Sequence, residues 1–194
     1  PFLPETERNR IEMRVSRDEN FKRIHFDCEY GVTEGIIFSN WYQIDTIPEA
    51  LGEKAIYGLD FGFTNDPTAL IKTIEVDDAF YFDELIYQTG MLNSDITRRF
   101  DSLGLKKNYD EMCNAGYNVK GAVKGPDSII KGIDTLLSKP IYVTKRSVNL
   151  IKELRAYSWA LNKDGNPTNK PIDAYNHALD ASRYAVMHKI NKFE

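Results

Sequence analysis

Three side chains in this sequence are of the types that bind a hard divalent cation. Asp60 lies in an apolar stretch, residues 54–62, that predicts a buried strand, and ionised carboxylates are seldom buried without a partner. His177 and Asp180 are three residues apart in the segment that predicts the last helix, so both project from one face. Mg²⁺ and Mn²⁺ prefer oxygen ligands, and carboxylates held together repel unless cations neutralise them. The pattern favours a metal site that hydrolyses a phosphodiester with water activated between two ions.

Each candidate residue also has a simpler interpretation. Asp60 could cap a turn at the end of its strand, and His177 could be a buried histidine of the core. Asp66, in an Asn-Asp-Pro turn, fits an Asx turn better than a metal ligand. Glu84, on the third predicted strand, fits a metal ligand or an edge-strand carboxylate equally well. From the residues alone, phosphatases and transferases with aspartate-rich sites are also compatible with this pattern.

The composition is that of an ordinary globular chain. Of the 194 residues, 42% are hydrophobic and 28% are charged, which predicts one domain with a sizeable core. No apolar run approaches the roughly 18 residues of a membrane-spanning helix, so we expect no membrane partner. Cys28 and Cys113 lack metal-binding spacing and fit a reducing cytoplasm. Because the chain begins at Pro1 without Met, we expect it to be part of a longer protein.

The net charge of −4 conceals an uneven distribution of charge. Between Gly116 and Trp159 there are eight Lys/Arg and three Asp/Glu, so this segment carries +5 and the rest of the chain −9. A basic face opposite an acidic site, suited to a nucleic acid, is one interpretation, and an ordinary solvated surface is the alternative. The candidate DNA-binding residues are Lys120, Lys124, Lys131, Lys145 and Arg146.

The elements that must position these residues alternate between strands and helices. Residues 54–62, 68–76 and 79–90 predict three strands joined by hairpins and therefore antiparallel, with residues 54–62 as a central strand. The order of strands and helices along the chain predicts a mixed sheet covered by helices. The other predicted elements are a helix at 93–104, a strand at 117–125, a helix at 126–139, a strand at 140–145, a helix or helix and strand at 147–161, a hairpin turn at 162–167 and a last helix at 174–190.

Three segments resemble the C-terminal nuclease domain of tailed-phage terminase large subunits, the DNA-packaging motor proteins: GLDFGFTNDPTAL, GPDSIIKGIDTLLSKPIYVTKRSVNLIKELRAYSW and NHALDASRYA. EYGVTEGIIFSNW resembles the segment that joins this domain to the ATPase domain. The resemblance implies an α/β, ribonuclease H-like fold, with a mixed sheet whose first three strands are antiparallel and with helices on both faces. It also implies that residues 1–45 are a linker from an N-terminal ATPase domain and that residues 46–194 form the nuclease domain.

The resemblance further implies a function and roles for individual residues. The family cuts concatemeric viral DNA at the start and end of packaging with Mg²⁺ or Mn²⁺, and two ions are expected. Asp60 and Asp180 match the metal-binding aspartates, and His177 matches the histidine that supports a ligand, orients water or contacts the second metal. The implied partners are double-stranded DNA and, through the full-length protein, the phage portal and the small terminase subunit, in the cytoplasm of the bacterial host.

One segment departs from the family pattern. The family has a further strand ending in an acidic residue, whereas LGLKKNYDEMCNAGYNV runs straight on here. Asp110 and Glu111 could be the surviving edge of that strand. We expect that the sequence omits a loop around Asp110 to Met112; the alternatives are that the protein was shortened or that another acid such as Glu84 substitutes. Two other functions stay open, a nuclease-like module that has become a DNA clamp or portal-docking domain, and another ribonuclease H-like enzyme such as a Holliday-junction resolvase.

Overall fold

The computed structural model describes residues 35–76, 78–105, 121–122, 125 and 127–190. In chain order, its elements are β1 (Trp41–Ile44), a 3₁₀ helix (Glu49–Lys54), β2 (Ile56–Asp60), β3 (Thr68–Val76), β4 (Ala79–Gln88), α1 (Asn93–Ser102), α2 (Ser128–Leu137), β5 (Ile141–Thr144), α3 (Val148–Ala156), β6 (Trp159–Leu161), β7 (Pro167–Pro171) and α4 (His177–Ile190). Among these described residues, no helix has the length and apolar character that a membrane span needs.

Five strands form one mixed sheet in the order β1-β5-β4-β3-β2. Strands β2, β3 and β4 are antiparallel neighbours, and β5 runs parallel to both β4 and β1. The predicted meander of three antiparallel strands in a mixed sheet is therefore confirmed. Strands β6 and β7 pair separately as a hairpin, as the Asp-Gly turn between them indicates.

Among the described residues β2 has one strand neighbour, β3, and the strand predicted at 117–125 lies almost entirely outside them, so the central position of residues 54–62 stays a prediction. Helices account for part of the apolar pattern of β2. Helix α4 covers one face of β2, where Gly58 approaches the backbone of the helix. Leu59 packs on the other face, against the residues that contact α1. Packing against helices on both faces therefore contributes to the apolar pattern of β2.

Strand β1 forms the opposite edge of the sheet, and the chain just before it enters the core. Trp41–Ile44 pairs with β5, and Ile37 and Phe38 are buried. These residues belong to the predicted linker at 1–45, so the part of it that is described packs onto the sheet. Residues 1–34 and almost all of the strand predicted at 117–125 lie outside the described residues.

Helices cover both faces of the sheet, as predicted. The larger apolar cluster lies against α2, α3 and α4 and includes Phe80, Phe82 and Leu154. The smaller cluster lies against α1 and consists of Leu70, Ile86, Met91, Ile96 and Phe100.

A β-bulge in β4 changes which side chains face α3. Ile71 pairs with Glu84 while its neighbour Leu70 pairs with Ile86, which leaves Leu85 as the extra residue. Because the bulge shifts the alternation, Tyr87 and Glu84 both reach α3 although they are three residues apart.

Candidate active site

Asp60 and His177 meet where the end of β2 contacts the first turn of α4. Nδ1 of His177 lies 3.2 Å from Oδ2 of Asp60, and the two side chains are 24% and 21% exposed. On the other side of the ring, Nε2 of His177 is 3.7 Å from Oδ1 of Asp66, whose side chain is 70% exposed. The imidazole therefore lies between a half-buried and an exposed carboxylate, at a position open to a ligand.

Small residues bring α4 close enough for this contact. A Cβ added to Gly58 would lie 1.7 Å from the carbonyl oxygen of Ala181 and 3.1 Å from Cβ of Ala185. Ala178 and Ala181 are fully buried against the sheet. The alanine-rich face of α4 therefore packs closely on the sheet, and this packing holds the first turn of α4 beside the end of β2.

Asp180 lies one turn further along α4, on the same side as His177. Its Oδ1 accepts a charged hydrogen bond from a terminal nitrogen of Arg183 at 2.9 Å, and the hydroxyl of Tyr184 is 3.5 Å from its Oδ2. Burial raises the pKa of Tyr184, and the charges of Asp180 and Asp60 raise it further. Asp180 is thus held by Arg183 and Tyr184 within α4, one turn from the contact of His177 with Asp60.

Glu153 is a buried carboxylate that our reading of the sequence missed. Its side chain is 2% exposed, and its Oε1 accepts a hydrogen bond from the hydroxyl of Tyr87 at 2.8 Å. Its Oε2 accepts the backbone N–H of Leu179 at 2.9 Å, and the N–H of Ala178 adds a further bond. Burial raises the pKa of Glu153 and these donors oppose the shift. Glu153 therefore caps the turn of α4 that carries His177.

A signal for Glu153 was present in the helical period of α3. Leu150, Ile151 and Leu154 are buried on the face of α3 that contacts the sheet, and position 153 falls on the same face. A carboxylate at such a position needs hydrogen-bond donors. The first turn of the next helix supplies them, which no local pattern predicts.

Glu84 caps the start of α3 and lies away from Asp60. Its two carboxylate oxygens accept from Nδ2 of Asn149 at 2.7 Å and from the N–H of Leu150 at 2.8 Å. The strand register separates the Cα atoms of Glu84 and Asp60 by two strands and two residues, about 12 Å. Glu84 lies on a central strand, so the edge-strand interpretation is wrong, and its role as a metal ligand stays a prediction that this capping role does not favour.

Two of the predicted DNA-binding residues have acidic partners. Nζ of Lys145 is 2.7 Å from Oδ1 of Asp45. The guanidinium of Arg146 forms a bidentate pair with the buried Asp83, with Nε at 2.7 Å, and this pairing raises the pKa of Arg146. Lys131 is exposed on α2. Lys120, Lys124 and the segment from Asp110 to Met112 lie outside the described residues.

The side chains at the start of α4 supply part of a ligand set for a hard cation. Within the part of the chain that the structure describes, no three His, Cys, Asp or Glu side chains converge closely enough to hold an ion by themselves. Mg²⁺ needs less, because it keeps several waters and binds through one or two carboxylates together with substrate phosphates. The carboxylates of Asp60 and Asp180 fit that mode for Mg²⁺ or Mn²⁺, and His177 contacts one of them through its hydrogen bond to Asp60.

Comparison with known proteins gives consistent matches. The family described as "Terminase RNAseH like domain" matches residues 60–188. The large terminase subunit of Bacillus phage SPP1 is 26% identical over 163 residues; the match covers 70% of this chain and only 36% of that protein's length.

Solved structures extend the similarity to the fold. The nuclease domain of the SPP1 large terminase g2p, crystallised with bound Mn, has a TM-score of 0.65 and 26% identity, covering 78% of this chain and 98% of that chain. The large terminase nuclease from thermophilic phage G20c, with bound magnesium, shares the fold with a TM-score of 0.55 and 14% identity, covering 80% and 98%.

Proposed function

The chain belongs to the terminase RNase H-like domain family, and we propose that it is a metal-dependent endonuclease domain that cuts concatemeric viral DNA during genome packaging. The contact of Asp60 with His177, one turn from Asp180, carries this proposal. The arrangement puts two carboxylates and an imidazole at one end of a helix, in a fold shared with a nuclease domain that binds Mn.

The residues of the site have distinct roles in this proposal. Asp60 and Asp180 would hold Mg²⁺ or Mn²⁺, two ions being the proposed number, and the bound metal supplies an activated water and charge stabilisation for phosphodiester hydrolysis. His177 contacts Oδ2 of Asp60 through Nδ1 and fixes the orientation of that carboxylate. Arg183 holds the carboxylate of Asp180 in the same way from inside the helix layer.

The larger setting of the domain is also a proposal. The chain spans about a third of the length of its SPP1 relative. The nuclease domain that the sequence predicts at residues 46–194 also includes residues 37–44, because Ile37 and Phe38 are buried in its core and β1 pairs with β5. An ATPase domain before it in the full-length protein is a proposal. Double-stranded DNA is the proposed substrate, and the portal and small terminase subunit are proposed partners of the full-length protein in the host cytoplasm. The phosphate contacts proposed for Lys131 and Lys145 would add affinity without reading sequence, whereas the guanidinium of Arg146 is paired with Asp83.

Substitution of the two aspartates tests the nuclease proposal. We expect Asp60→Asn and Asp180→Asn each to reduce Mn²⁺-dependent nicking of supercoiled plasmid to background, because each amide loses the charge that holds the ion. Asp164→Asn, in the exposed turn between β6 and β7, is the matched control and should cut at the wild-type rate. Circular dichroism should show all three variants folded. Full activity in either site variant would refute the assignment.

A DNA clamp without catalysis is the second candidate, because no three described acidic, His or Cys residues converge into a complete metal site. Titration of Mn²⁺ into the chain by calorimetry separates the two. Binding that disappears in Asp60→Asn supports the nuclease, whereas tight DNA binding with no Mn²⁺ binding supports the clamp. Membership of the terminase family leaves no reason to retain the resolvase alternative.

A further inference from the structure

Arg183 places a buried guanidinium beside the candidate metal site. Its side chain is 7% exposed, and it is the one Lys or Arg that is buried among the residues the structure describes. A buried cation needs a counter-charge, and Asp180, one turn earlier in α4, supplies it. We propose, on the basis of the nuclease function above, that Arg183 makes the site select Mg²⁺ over Ca²⁺, because it occupies one oxygen of Asp180 and leaves only the other for a metal ion.

The two oxygens of the Asp180 carboxylate differ in their contacts. Oδ1 accepts from two nitrogens of Arg183, a terminal nitrogen at 2.9 Å and Nε at 3.3 Å. Oδ2 faces the hydroxyl of Tyr184 at 3.5 Å, which is longer than an ordinary hydrogen bond between two oxygens. The Asp180 side chain is 20% exposed, so a cation has access to this carboxylate. Oδ2 is the oxygen that Arg183 leaves available to it.

Helix α2 fixes the position of the Arg183 side chain. A Cβ added to Gly132 would lie 2.1 Å from Cδ and 2.2 Å from Cγ of Arg183, so the arginine stem fills the space that a side chain on α2 would occupy. The guanidinium carbon lies 4.7 Å from the centre of the Tyr184 ring, within the range of a cation–π contact. We expect the pair of Arg183 and Asp180 to stay in contact when a cation arrives, because parting them would leave a buried charge without a partner.

Divalent cations differ in how they use a carboxylate. Ca²⁺ takes about six to eight oxygen ligands at roughly 2.3–2.6 Å, and it reaches that number in part by binding both oxygens of one carboxylate. Mg²⁺ is smaller, demands octahedral geometry and keeps several waters, so one oxygen from each of one or two carboxylates is enough. A carboxylate whose Oδ1 is held by a guanidinium offers one oxygen, which meets the needs of Mg²⁺ better than those of Ca²⁺.

The ratio of the two affinities isolates this role from the other effects of Arg183. The positive charge of the guanidinium repels both divalent cations, so it lowers both affinities without discriminating between them. The occupied oxygen discriminates, because it removes a ligand that Ca²⁺ uses and Mg²⁺ does not need. An ion pair that only stabilises the fold is the alternative, and its loss would change both affinities together and leave their ratio as it was.

The test measures how Mg²⁺ and Ca²⁺ displace Mn²⁺ from the 194-residue chain. Free Mn²⁺ is followed by its electron paramagnetic resonance signal, and the binding that counts is the part that Asp180→Asn removes. Arg183→Met replaces the guanidinium with a flexible apolar side chain that can fill the same space. We expect the preference for Mg²⁺ over Ca²⁺ to fall by roughly 10-fold in this variant, the lower end of the effect of residues that hold a metal ligand.

Two more variants show that the effect comes from Arg183. Gly132→Ala displaces the arginine stem from α2 without changing a residue of the site, and it should shift the ratio in the same direction. Lys139→Met is the matched control, because it also removes a paired cation. Lys139 pairs with Glu75 at 2.6 Å, at the opposite end of β3 from the residue that pairs with Asp60, and its loss should leave the ratio unchanged.

The outcomes separate this proposal from the alternative and from the nuclease function. A folded Arg183→Met chain that keeps the wild-type ratio, or that binds no Mn²⁺, would overturn the proposal, as would a wild-type chain without Asp180-dependent Mn²⁺ binding or without preference for Mg²⁺. If Arg183→Met does not fold, Gly132→Ala decides by the same criterion. Selective binding by a chain that does not nick plasmid would refute the nuclease function and leave the role of Arg183 standing, and nicking with an unchanged ratio would do the reverse.

Discussion

Substitution Gly58→Ala tests whether the contact between β2 and α4 sets the geometry of the site. The added Cβ would lie 1.7 Å from the carbonyl oxygen of Ala181 and 2.6 Å from its carbonyl carbon. Both are backbone atoms of a helix, so no side-chain rotation relieves the clash. Because separations below 3.0 Å are essentially never observed for Cβ atoms, α4 must move away from β2 by at least 1.3 Å, the difference between 3.0 Å and 1.7 Å.

This displacement should reach the candidate catalytic residues. Asp60 lies two residues beyond Gly58, and His177 lies one turn before Ala181, so the 3.2 Å contact between Nδ1 and Oδ2 should lengthen beyond hydrogen-bond range. A misplacement of about 1 Å at a reacting centre can cost on the order of 100-fold in rate. Overpacking of this kind costs about 1–3 kcal/mol of unfolding free energy, or roughly 2–12 °C in melting temperature for a chain of this size.

Plasmid nicking in Mn²⁺ and thermal denaturation, measured on the same preparations, provide the assay. Gly125→Ala is the matched control, because a Cβ there would meet nothing within 4 Å. The control should cut and melt like the wild-type chain, while Gly58→Ala should lose about two orders of magnitude in nicking rate. A Gly58→Ala variant with wild-type nicking and melting temperature would show that α4 does not determine the relative positions of Asp60 and His177.

Two further predictions concern the buried carboxylate and the basic surface. Glu153→Gln should lower the melting temperature by about 2–12 °C, because its amide cannot accept all of the hydrogen bonds from Tyr87 and α4 and an unsatisfied buried donor costs about 1–3 kcal/mol. Glu49→Gln, at an exposed position, is the control and should leave the melting temperature unchanged. Equal melting temperatures of the two variants would contradict the capping role of Glu153. Lys131→Ala should reduce the slope of log DNA affinity against log salt concentration by about 0.9 and leave the melting temperature unchanged. Arg146→Ala removes the partner of the buried Asp83 and should lower the melting temperature. A lower melting temperature for Lys131→Ala with a change of salt slope for Arg146→Ala would refute both predictions.

Much of the candidate site could be predicted because its signals are local. The glycine in β2 and the alanines of the last helix indicate close packing on their own, and the three-residue spacing of His177 and Asp180 fixes their common face. The hairpin strands were equally predictable, because strong alternation and turn residues act over short distances. Helix boundaries agreed for the same reason, with α1 and α2 ending within two residues of the predicted ends.

The order of strands depends on long-range pairing, which local patterns do not contain. Strand β1 has only four residues and pairs with β5 across about a hundred residues of chain. Strand β7 reads PTNKP, a sequence with two prolines and low β propensity, and it forms because the hairpin turn aligns it with β6. Glu153 and Glu84 illustrate the same limit, since their partners are backbone N–H groups of helices that pack against them only in the folded chain.

Asp60 lies on a strand and Asp180 on a helix, so the geometry of the candidate site depends on one contact between these two elements. Asp60 is fixed by the pairing of β2 with β3, and Asp180 is fixed within α4 by Arg183 and, through the helix start, by Glu153. Neither set of bonds determines the distance from the strand to the helix. That distance depends on how closely the backbone of Ala181 lies over Gly58. The absence of a side chain at position 58 therefore sets the separation between β2 and α4 on which the proposed nuclease site depends.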